Sequence, residues 1–422
     1  MERKINETLL QWKRDHARKT MLLYGLPGCG KTYSVLDFGK REYKNTIYFD
    51  ASDNVELEYV LDKNSTIDKV IRGLSAISLE TIFQEDSLIV LDNVNANVLD
   101  KIKKLFVGIN GYHIIMITND KNLVNSKKGE EVTVKTMNLV TFFEYLKYVG
   151  KEQLVDFIID SFRNNAPMPF HNMAFELYNN YLLTGGYPEI VTSEVCKDPN
   201  VLSSYLQRNI LLQQNGLLQL DNLIDIKRGN ELYNSIYMQL IKENKKFQYG
   251  LLKQGARAKE YNNAVNFLVN SDLVLQSYKV SEITSPLSKA KEADSFKLYY
   301  SSAGILFKQL GVHYNKLLTD NRLIYLLYEN DTACSLKQNG LNLYYHQSGG
   351  KSEVDFVIQT RTGKMIPIEI IRKNMAKSKS LKLTMNKYGL KEAIRLSEDN
   401  FSLKNGIKYV PFYAVCCITE MM

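Results

Sequence analysis

The sequence predicts an α/β protein: a domain with a parallel β-sheet comes first, a helical region follows, and a second α/β region ends the chain. Three observations lead to this fold class. Strand-like and helix-like stretches alternate over the first 140 residues, as they do in domains with a parallel sheet. A glycine-rich loop separates the first strand from the helix after it. From about residue 139 onward, apolar residues recur at three- and four-residue spacing, which is typical of helices.

The strands of the N-terminal region are predicted from short apolar runs that end in a polar residue or a glycine. The run at 87–92 is wholly apolar between its two end residues, which indicates a central strand buried on both faces. The complete set of predicted strands is 21–24, 46–50, 87–92, 113–118 and 132–135. These strands define a first predicted domain over residues 1–150.

The remainder of the chain divides into two further predicted domains, 151–285 and 286–422. The first of them is mainly helical, and a glycine pair and a proline at 181–189 predict a helix end. Two short helices, a strand, a polar wing and a returning strand then have the outline of a winged helix, with the last three at 273–278, 281–294 and 296–300. The final domain adds a helix and alternating strands at 341–346, 353–359, 365–371 and 409–418.

Composition excludes several classes of protein. The chain has 422 residues, of which 45% are apolar and 24% charged, so disorder over most of its length is excluded. No apolar run approaches the ~20 residues that a membrane helix needs, and no signal-peptide core follows the N-terminus. The five cysteines and five histidines show no zinc-ligand spacing. We expect a soluble, reduced, cytoplasmic protein with no membrane partner and no histidine-built metal site.

The net charge of +8 lies in the last third of the chain. Residues 286–422 carry 20 basic and 12 acidic side chains, whereas the two preceding regions are nearly neutral. Six cations follow one another without an intervening acid: Arg372, Lys373, Lys377, Lys379, Lys382 and Lys387. Such a cluster is typical of a solvated surface, and it is also typical of a surface that binds the phosphate backbone of nucleic acid. Both interpretations remain open, and DNA is the partner that the second one predicts.

A phosphate-binding loop is predicted at residues 25–32. This segment, Gly-Leu-Pro-Gly-Cys-Gly-Lys-Thr, fits G-x-x-x-x-G-K-[ST] and lies between a strand and a helix, as the mechanism requires. Glycines let backbone N–H groups turn toward the phosphates, and the helix N-terminus adds a partial positive charge. We expect Lys31 to contact the β- and γ-phosphates of ATP, and the Thr32 hydroxyl to coordinate Mg²⁺. The expected cofactor-binding residues are Gly25, Pro27, Gly28, Cys29, Gly30, Lys31, Thr32 and Tyr33.

Further catalytic residues are expected at the ends of two neighbouring strands. Asp92 ends the strand at 87–92 and is the predicted second protein ligand of Mg²⁺, as in a Walker B motif. Many ATPases carry Glu at the next position, but this chain has Asn93, whose amide can position a water without accepting its proton. Thr118 and Asn119 end the neighbouring strand, where a polar group either contacts the γ-phosphate or merely terminates the strand. The predicted catalytic set is Lys31, Asp92, Asn93 and Thr118.

Together these segments resemble the prokaryotic AAA-type ATPases that carry a C-terminal domain of unknown function and are placed near the signalling (STAND-like) NTPases. The resemblance covers nearly the whole chain. Besides the phosphate-binding loop, it depends on residues 88–92, 139–146, 181–189, 297–300, 353–357 and 411–414. It implies a P-loop NTPase (AAA-type) domain, then a helical and winged-helix region, then a degenerate restriction-endonuclease-like α/β domain.

The sequence departs from that family at positions that matter for turnover. Pro27 and Gly28 stand where many relatives have Arg-Gln, and Asn93 stands where relatives have Glu. A Gly-Arg pair that could supply an arginine finger in relatives is replaced here by the lysine-containing stretch 126–129. Ser302 stands where relatives have Asp. Because two catalytic positions are changed together, the sequence predicts weak ATP hydrolysis.

The endonuclease-like domain contains acids of the kind that such nucleases use to hold Mg²⁺. Asp355 and Glu369 fit the carboxylate pair, and Glu329 fits a third acid on a helix. The lysine position two residues after Glu369 is occupied by Ile371. Lys373 lies on the correct face of the strand, but one strand step further along. These residues therefore disfavour an active nuclease.

Three functions are consistent with this sequence. The first is a nucleotide-controlled switch that binds ATP and Mg²⁺ and hydrolyses ATP slowly or not at all. The second is a DNA-stimulated ATPase motor or DNA-binding ATPase. The third is an ATP-regulated, metal-dependent nuclease. A homo-oligomer or a protein partner is open in each case. Slow hydrolysis favours the first function, DNA-stimulated turnover the second, and Mg²⁺-dependent cleavage the third.

Overall fold

The structure is a computed structural model, and it describes residues 1–52, 54–62, 64–109, 111–126, 131–193, 198–220, 222–348, 352–372 and 379–421. The chain forms two compact units. The first consists of Met1–Val140 and Tyr187–Glu189, and the second of Thr141–Gly186 and Ile190–Met422. The chain therefore passes between the units three times.

A five-stranded parallel sheet forms the centre of the first unit. Its strands are β1 (Met21–Tyr24), β2 (Asn45–Asp50), β3 (Ser87–Asp92), β4 (His113–Thr118) and β5 (Thr133–Thr136), in the order β2-β3-β4-β1-β5. Every residue of β3 and β4 is buried, as expected for apolar central strands with helices on both faces. The predictions for all five strands are confirmed to within one residue.

Six helices surround this sheet: α1 (Lys4–Arg14), α2 (Lys31–Glu42), α3 (Val55–Val60), α4 (Ile67–Ser78), α5 (Ala96–Phe106) and α6 (Lys121–Ser126). The sequence of α5 shows why such a helix forms here. The side chain of Asn95 accepts a hydrogen bond from the backbone N–H of Val98 and so caps the first turn. Apolar residues at helical spacing then face the sheet, and the buried ones are Val98, Leu99, Ile102, Leu105 and Phe106.

The second unit begins with a run of helices. These are α7 (Phe142–Tyr148), α8 (Gln153–Asn164), α9 (His171–Thr184), α10 (Pro188–Thr192), α11 (Pro199–Asn215), α12 (Leu223–Leu240) and α13 (Ala258–Asn270), with short 3₁₀ helices at Gly216–Gln219 and Tyr249–Leu251. Thr141 and Glu144 form a capping box at the start of α7. At the end of α9, Gly185 adopts the left-handed conformation with φ 61°, so the predicted helix end at the glycine pair is confirmed.

An eight-stranded mixed sheet with its flanking helices completes the second unit. The strands follow the order β12-β13-β11-β10-β9-β8-β6-β7. Their bounds are β6 (Val274–Val280), β7 (Lys291–Tyr300), β8 (Leu343–Ser348), β9 (Ser352–Gln359), β10 (Met365–Ile370), β11 (Ala393–Ser397), β12 (Ser402–Lys404) and β13 (Ile407–Pro411). The helices are α14 (Ala303–Leu310), α15 (Tyr314–Thr319), α16 (Asn321–Gln338) and α17 (Ser380–Tyr388), with 3₁₀ helices at Leu287–Ala290 and Phe412–Met421.

The hairpin of β6 and β7 is continuous with the rest of this sheet. β6 pairs antiparallel with β7 and parallel with β8. The predicted boundary between residues 285 and 286 therefore falls between two strands that are hydrogen-bonded to each other. The winged-helix interpretation of 247–300 and the division into three domains stay predictions.

One predicted strand is wrong in its second half. The sequence predicts a strand over 409–418, but β13 ends at Pro411 and a 3₁₀ helix continues from Phe412 to Met421. Proline has no N–H to continue a ladder, so a strand readily ends there. The residues that follow are buried without strand pairing, among them Phe412 and Tyr413.

The predicted fold class is confirmed: an α/β domain with a parallel sheet is followed by helical and mixed-sheet regions. Among the helices that the structure describes, none combines the length and apolar character that a bilayer span requires.

Candidate functional site

The loop between β1 and α2 has the backbone conformation that its glycines permit. Gly30 caps the N-terminus of α2 with φ 93°, in the left-handed region that glycine adopts without strain. Position 25 requires glycine for a different reason: a Cβ there would lie 2.4 Å from the backbone oxygen of Met137. The sequence Gly-x-x-x-x-Gly therefore places a bare backbone beside the N-terminus of α2, where N–H groups attract anions.

Lys31 is buried inside this loop, with only 6% of its surface exposed. Its Nζ donates to the backbone oxygens of Gly25 (2.9 Å) and Leu26 (3.0 Å) and to Oδ1 of Asn119 (2.6 Å). All three acceptors are neutral, and no ion pair found in the described part of the chain includes Lys31. A buried cation with only neutral partners is stabilised strongly by an anion, so this site suits a phosphate group.

Thr32 and Asp92 bring two oxygen ligands together at the edge of the sheet. The Thr32 hydroxyl donates to Oδ2 of Asp92 at 2.5 Å. Hydroxyl, carboxylate and phosphate oxygens are the ligands that Mg²⁺ prefers, usually with only one or two carboxylates from the protein. The donor set therefore fits Mg²⁺, with Thr32 and Asp92 as the residues that would hold it.

Tyr48 also contacts Asp92, its hydroxyl donating to Oδ2 at 3.3 Å. Burial, followed by the negative charges of Asp92 and Asp50, raises the pKa of Tyr48 to about 12. The phenol therefore keeps its proton at neutral pH and acts as a donor to Asp92. Asp50 lies opposite Asp92 in the register of β2 and β3, so two carboxylates end adjacent strands.

Asn93 is held in a defined position next to Asp92. Its backbone is left-handed with φ 54°, a conformation that Asn tolerates better than most residues. The backbone N–H donates to Oδ1 of Asp92 (2.8 Å), and Nδ2 donates to Oδ1 of Asp50 (3.0 Å). Burial raises the pKa of Asp50, but hydrogen bonds from Ser52 and Asn93 outweigh this effect and lower the pKa below its ordinary value. Asp50 is therefore ionised at neutral pH and fixes the amide of Asn93.

Of the two polar residues at the end of β4, only Asn119 contacts the phosphate-binding loop in this structure. The hydroxyl of Thr118 donates to the backbone oxygen of Val94 (3.2 Å) and accepts from the N–H of Asp120 (3.1 Å). These bonds support the turn after β4, and the catalytic role expected for Thr118 stays a prediction. Asn119 reaches Lys31 instead, as described above.

Two residues at the loop were not expected from the sequence. Arg3 is buried and donates to the backbone oxygens of Cys29 (3.2 Å) and Asn138 (2.7 Å), so that it braces the loop from outside. Pro188 lies close to Gly30: a Cβ added at Gly30 would be only 3.2 Å from Cγ of Pro188. No local sequence pattern points to either residue.

The other loop positions differ widely in exposure. Cys29 is buried, and Tyr33 on the first turn of α2 is 70% exposed. The expected contacts of Pro27, Cys29 and Tyr33 with a nucleotide stay predictions. The stretch 127–129, where relatives could supply an arginine finger, lies outside the described residues.

The acids of the predicted nuclease centre in the second unit are already paired. Glu329 accepts a hydrogen bond from the Tyr299 hydroxyl (2.9 Å) and forms an ion pair with Lys245. Glu369 accepts from Nε (2.9 Å) and Nη2 (2.6 Å) of buried Arg395. Within the described ranges, no three acids, histidines or cysteines are grouped as a metal site. Lys373 lies outside those ranges.

Asp355 is the third of the predicted nuclease acids. Its Oδ2 accepts a hydrogen bond from the backbone N–H of Ile370 at 2.7 Å. Burial, followed by the negative charge of Glu329, raises the pKa of Asp355 to about 7, although Lys297 partly offsets these effects. Lys297 is itself buried and forms an ion pair with Glu353. Glu329 and Glu369 are therefore paired with cations and Asp355 accepts from the backbone, so these three acids do not form a free carboxylate pair.

The raised pKa of Asp355 predicts a pH-dependent loss of stability. Between the unfolded pKa of ~3.9 and the folded value, the folded state binds the proton more tightly, so stability falls as pH rises through ~4 to ~7 and then levels off. Asp355→Asn removes this contribution. We expect its free energy of unfolding, measured in urea, to exceed that of the wild type by more at pH ~8 than at pH ~4.5. The matched control is Asp160→Asn, which replaces an exposed acid of the same unit, and an equal effect of the two variants would contradict the assignment.

A cavity of about 790 Å³ is lined entirely by residues of the second unit. The cation in its lining, Lys308, donates to the hydroxyl of Ser203 at 2.6 Å. Of the described residues in the lining, none carries a carboxylate.

The parallel sheet, the loop at residues 25–32 and the Thr32–Asp92 contact have the form of a P-loop nucleotide-binding domain. A family model described as "ATPase family associated with various cellular activities (AAA)" matches residues 21–128. Two models described as domains of unknown function match later parts of the chain, DUF8612 over residues 175–316 and DUF4143 over residues 327–415. The recognition made from the sequence is thus confirmed: an AAA domain precedes C-terminal domains of unknown function.

The solved structures that are similar to this chain share little sequence identity with it. The Walker-type ATPase PABY2304 of Pyrococcus abyssi is 11% identical, with a TM-score of 0.42 over 73% of this chain and 95% of that one. The ORC2 protein of Aeropyrum pernix in its ADP form is 12% identical, with a TM-score of 0.32 over 76% and 93%. The RuvB Holliday junction branch migration motor of Thermotoga maritima is 11% identical, with a TM-score of 0.31 over 68% and 91%. Among curated protein sequences, none matches this chain.

Proposed function

We propose that this protein is a nucleotide-controlled switch with slow ATP hydrolysis. ATP binds at residues 25–32, with Mg²⁺ held by Thr32 and Asp92, and the second unit adopts different conformations in the ATP and ADP states. The observation that carries the proposal is Asn93. At the position next to Asp92, the chain supplies an amide that is already bound to Asp50.

Different residues of the site contribute to ATP binding and to ATP hydrolysis. Lys31 exchanges its neutral carbonyl partners for phosphate oxygens, and the N–H groups at the start of α2 donate to the same anion. Bound Mg²⁺ would neutralise phosphate charge between Thr32 and Asp92. Asn93 can orient a water molecule through its amide oxygen, but it cannot take the proton as the water attacks. Loss of a general base typically costs ~10²–10⁴ in rate.

In this proposal, residues 187–189 transmit a change in the phosphate-binding loop to the second unit. These three residues are part of the first unit, and Pro188 contacts Gly30 of the phosphate-binding loop. On both sides the chain continues directly into the second unit, through Gly186 and Ile190. A shift of the loop on ATP binding therefore pulls on segments of the second unit through covalent bonds. The switch requires only that ATP has a different affinity for the two conformations.

A DNA-stimulated motor is the second candidate, and the positive charge after residue 285 favours it. Because motors need rapid turnover, this function also needs a proton acceptor that the site does not have at position 93. A protein partner or a homo-oligomer is compatible with both candidates. An ATP-regulated nuclease is the third and weakest candidate, because Glu329 and Glu369 are paired with cations.

Hydrogen exchange in the presence of ATP or ADP tests the switch. We expect amide protection in the second unit to differ between the two nucleotides, and Pro188→Ala to reduce that difference while nucleotide binding persists. Pro169→Ala, which alters an exposed proline in the second unit, is the matched control and should behave as wild type. Equal protection of the second unit with ATP and with ADP would reject the switch.

A further inference from the structure

A small pocket in the second unit is lined mainly by cations. It has a volume of about 230 Å³, and its lining residues are Lys379, Lys382, Arg395, Lys404, Asn405, Ile407 and Tyr409. Helix α17 and the strands β11, β12 and β13 bring them together, although the residues are up to 30 positions apart in sequence. Of the described residues that line this lysine pocket, none carries a carboxylate.

Arg395 gives the lysine pocket a rigid wall. Only 2% of its surface is exposed, and its charge is compensated by the ion pair with Glu369 at 2.6 Å. Its Nη1 donates to the hydroxyl of Tyr409 at 3.0 Å, and the two residues face each other in the register of β11 and β13. Arg395 therefore fixes the neighbouring strands and contributes little free charge.

The three lysines supply the uncompensated charge. Lys379, Lys382 and Lys404 are exposed, and in the described part of the chain none of their side chains has an ion pair or a hydrogen bond. The Lys404 ammonium lies 5.7 Å from the centroid of the Tyr409 ring. Other lysines of the same unit do have acidic partners: Lys364 pairs with Glu392 at 2.6 Å and Lys279 with Glu292 at 3.0 Å. Three like charges that surround one concavity create a local positive potential, which an anion relieves.

We propose that the lysine pocket binds a phosphate group of a nucleic-acid backbone. A single free phosphate needs only the pocket, but Lys387 on helix α17 and Lys391 just after it are also exposed and do not line the pocket. The stretch between Glu369 and Glu392 contains no acid, and the whole region after residue 285 carries 20 basic and 12 acidic side chains. A polyanion can contact such further lysines as well as the pocket, and only a polyanion gains from counterion release along its length. The proposal is independent of ATP hydrolysis.

The salt dependence of duplex binding tests the proposal. Each phosphate neutralised on duplex DNA contributes ~0.9 to the slope of log K against log salt, so replacing Lys379, Lys382 and Lys404 together by glutamine should lower the slope by ~2–3. Glutamine keeps most of the apolar stem, and the melting temperature shows whether the fold is intact. The matched control replaces Lys40, Lys69 and Lys104, three exposed lysines of the first unit, and should leave the slope unchanged.

Fluorescence anisotropy measures the binding of the 422-residue chain to a labelled duplex and to a labelled single strand, with inorganic phosphate as a competitor. Support for the proposal is a slope that falls in the pocket variant alone, with displacement only at phosphate concentrations far above that of the oligonucleotide. Three results would overturn it: no binding of either oligonucleotide at ~50 mM salt, an equal change in the control variant, or equally tight binding of free phosphate.

Discussion

Replacing Lys31 by alanine should abolish ATP binding or weaken it by ~100-fold or more, because a hydrogen bond to a charged group contributes ~1.5–3 kcal/mol and Lys31 would make several such bonds to the phosphates of ATP. The change should leave the fold intact. In this structure the ammonium is bound to Gly25, Leu26, Asn119 and, at 3.9 Å, to Sγ of Cys29, and the backbone of the loop is held independently by Arg3. Calorimetric titration with Mg²⁺ and ATP measures the loss directly.

Lys40→Ala is the matched control for this experiment. Lys40 lies on the same helix α2, but it is exposed and close to the opposite end from the phosphate-binding loop. Its replacement removes the same charge, so it should leave ATP affinity near the wild-type value. An affinity of Lys31→Ala equal to that of Lys40→Ala would show that residues 25–32 do not bind the phosphates, and the assignment of the site would fail.

Installing the missing carboxylate, Asn93→Glu, should raise ATP turnover by up to ~10²–10⁴, which is the usual contribution of general acid–base catalysis. The gain is limited by the backbone, because position 93 is left-handed and Glu tolerates that conformation less well than Asn. Asn93→Gln is therefore the control: it has the same length and the same backbone strain as Glu but no proton acceptor. Turnover is measured by phosphate release at saturating ATP and Mg²⁺.

A rise in Asn93→Glu but not in Asn93→Gln would show that a proton acceptor is the missing component. If both variants behave as wild type, although both bind ATP, then position 93 does not face the attacking water. That result would remove the main support for slow hydrolysis.

Much of the nucleotide site was predictable because it follows from local rules. Parallel strands end at one edge of the sheet, so the polar residues after apolar runs identified Asp92 and the pair at 118–119. The same rule applied to β2 would have identified Asp50, which ends its strand beside Asp92. The phosphate-binding loop was predictable because its glycine spacing is required by backbone geometry.

The remaining features depend on contacts between residues that are distant in sequence. Arg3 braces a loop 26 positions away, and its segment has no motif. Lys245 pairs with the predicted nuclease acid Glu329, 84 residues further along, and Lys297 pairs with the neighbouring Glu353, 56 residues further along. Neither periodicity nor composition distinguishes a buried lysine of this kind from an exposed one. For the same reason, the sequence predicted the acids of the endonuclease-like domain but not the cations that form ion pairs with them.

The measurement that tests the central claim most directly is the steady-state rate of ATP hydrolysis by the wild-type protein with Mg²⁺, with and without DNA. A switch whose water lacks a proton acceptor should turn over well below the ~1 s⁻¹ lower end of typical enzymes, and DNA should leave that rate unchanged. A rate above ~1 s⁻¹ that Asn93→Ala does not reduce would contradict the account, because another residue would then be the base and the motor would be the better description.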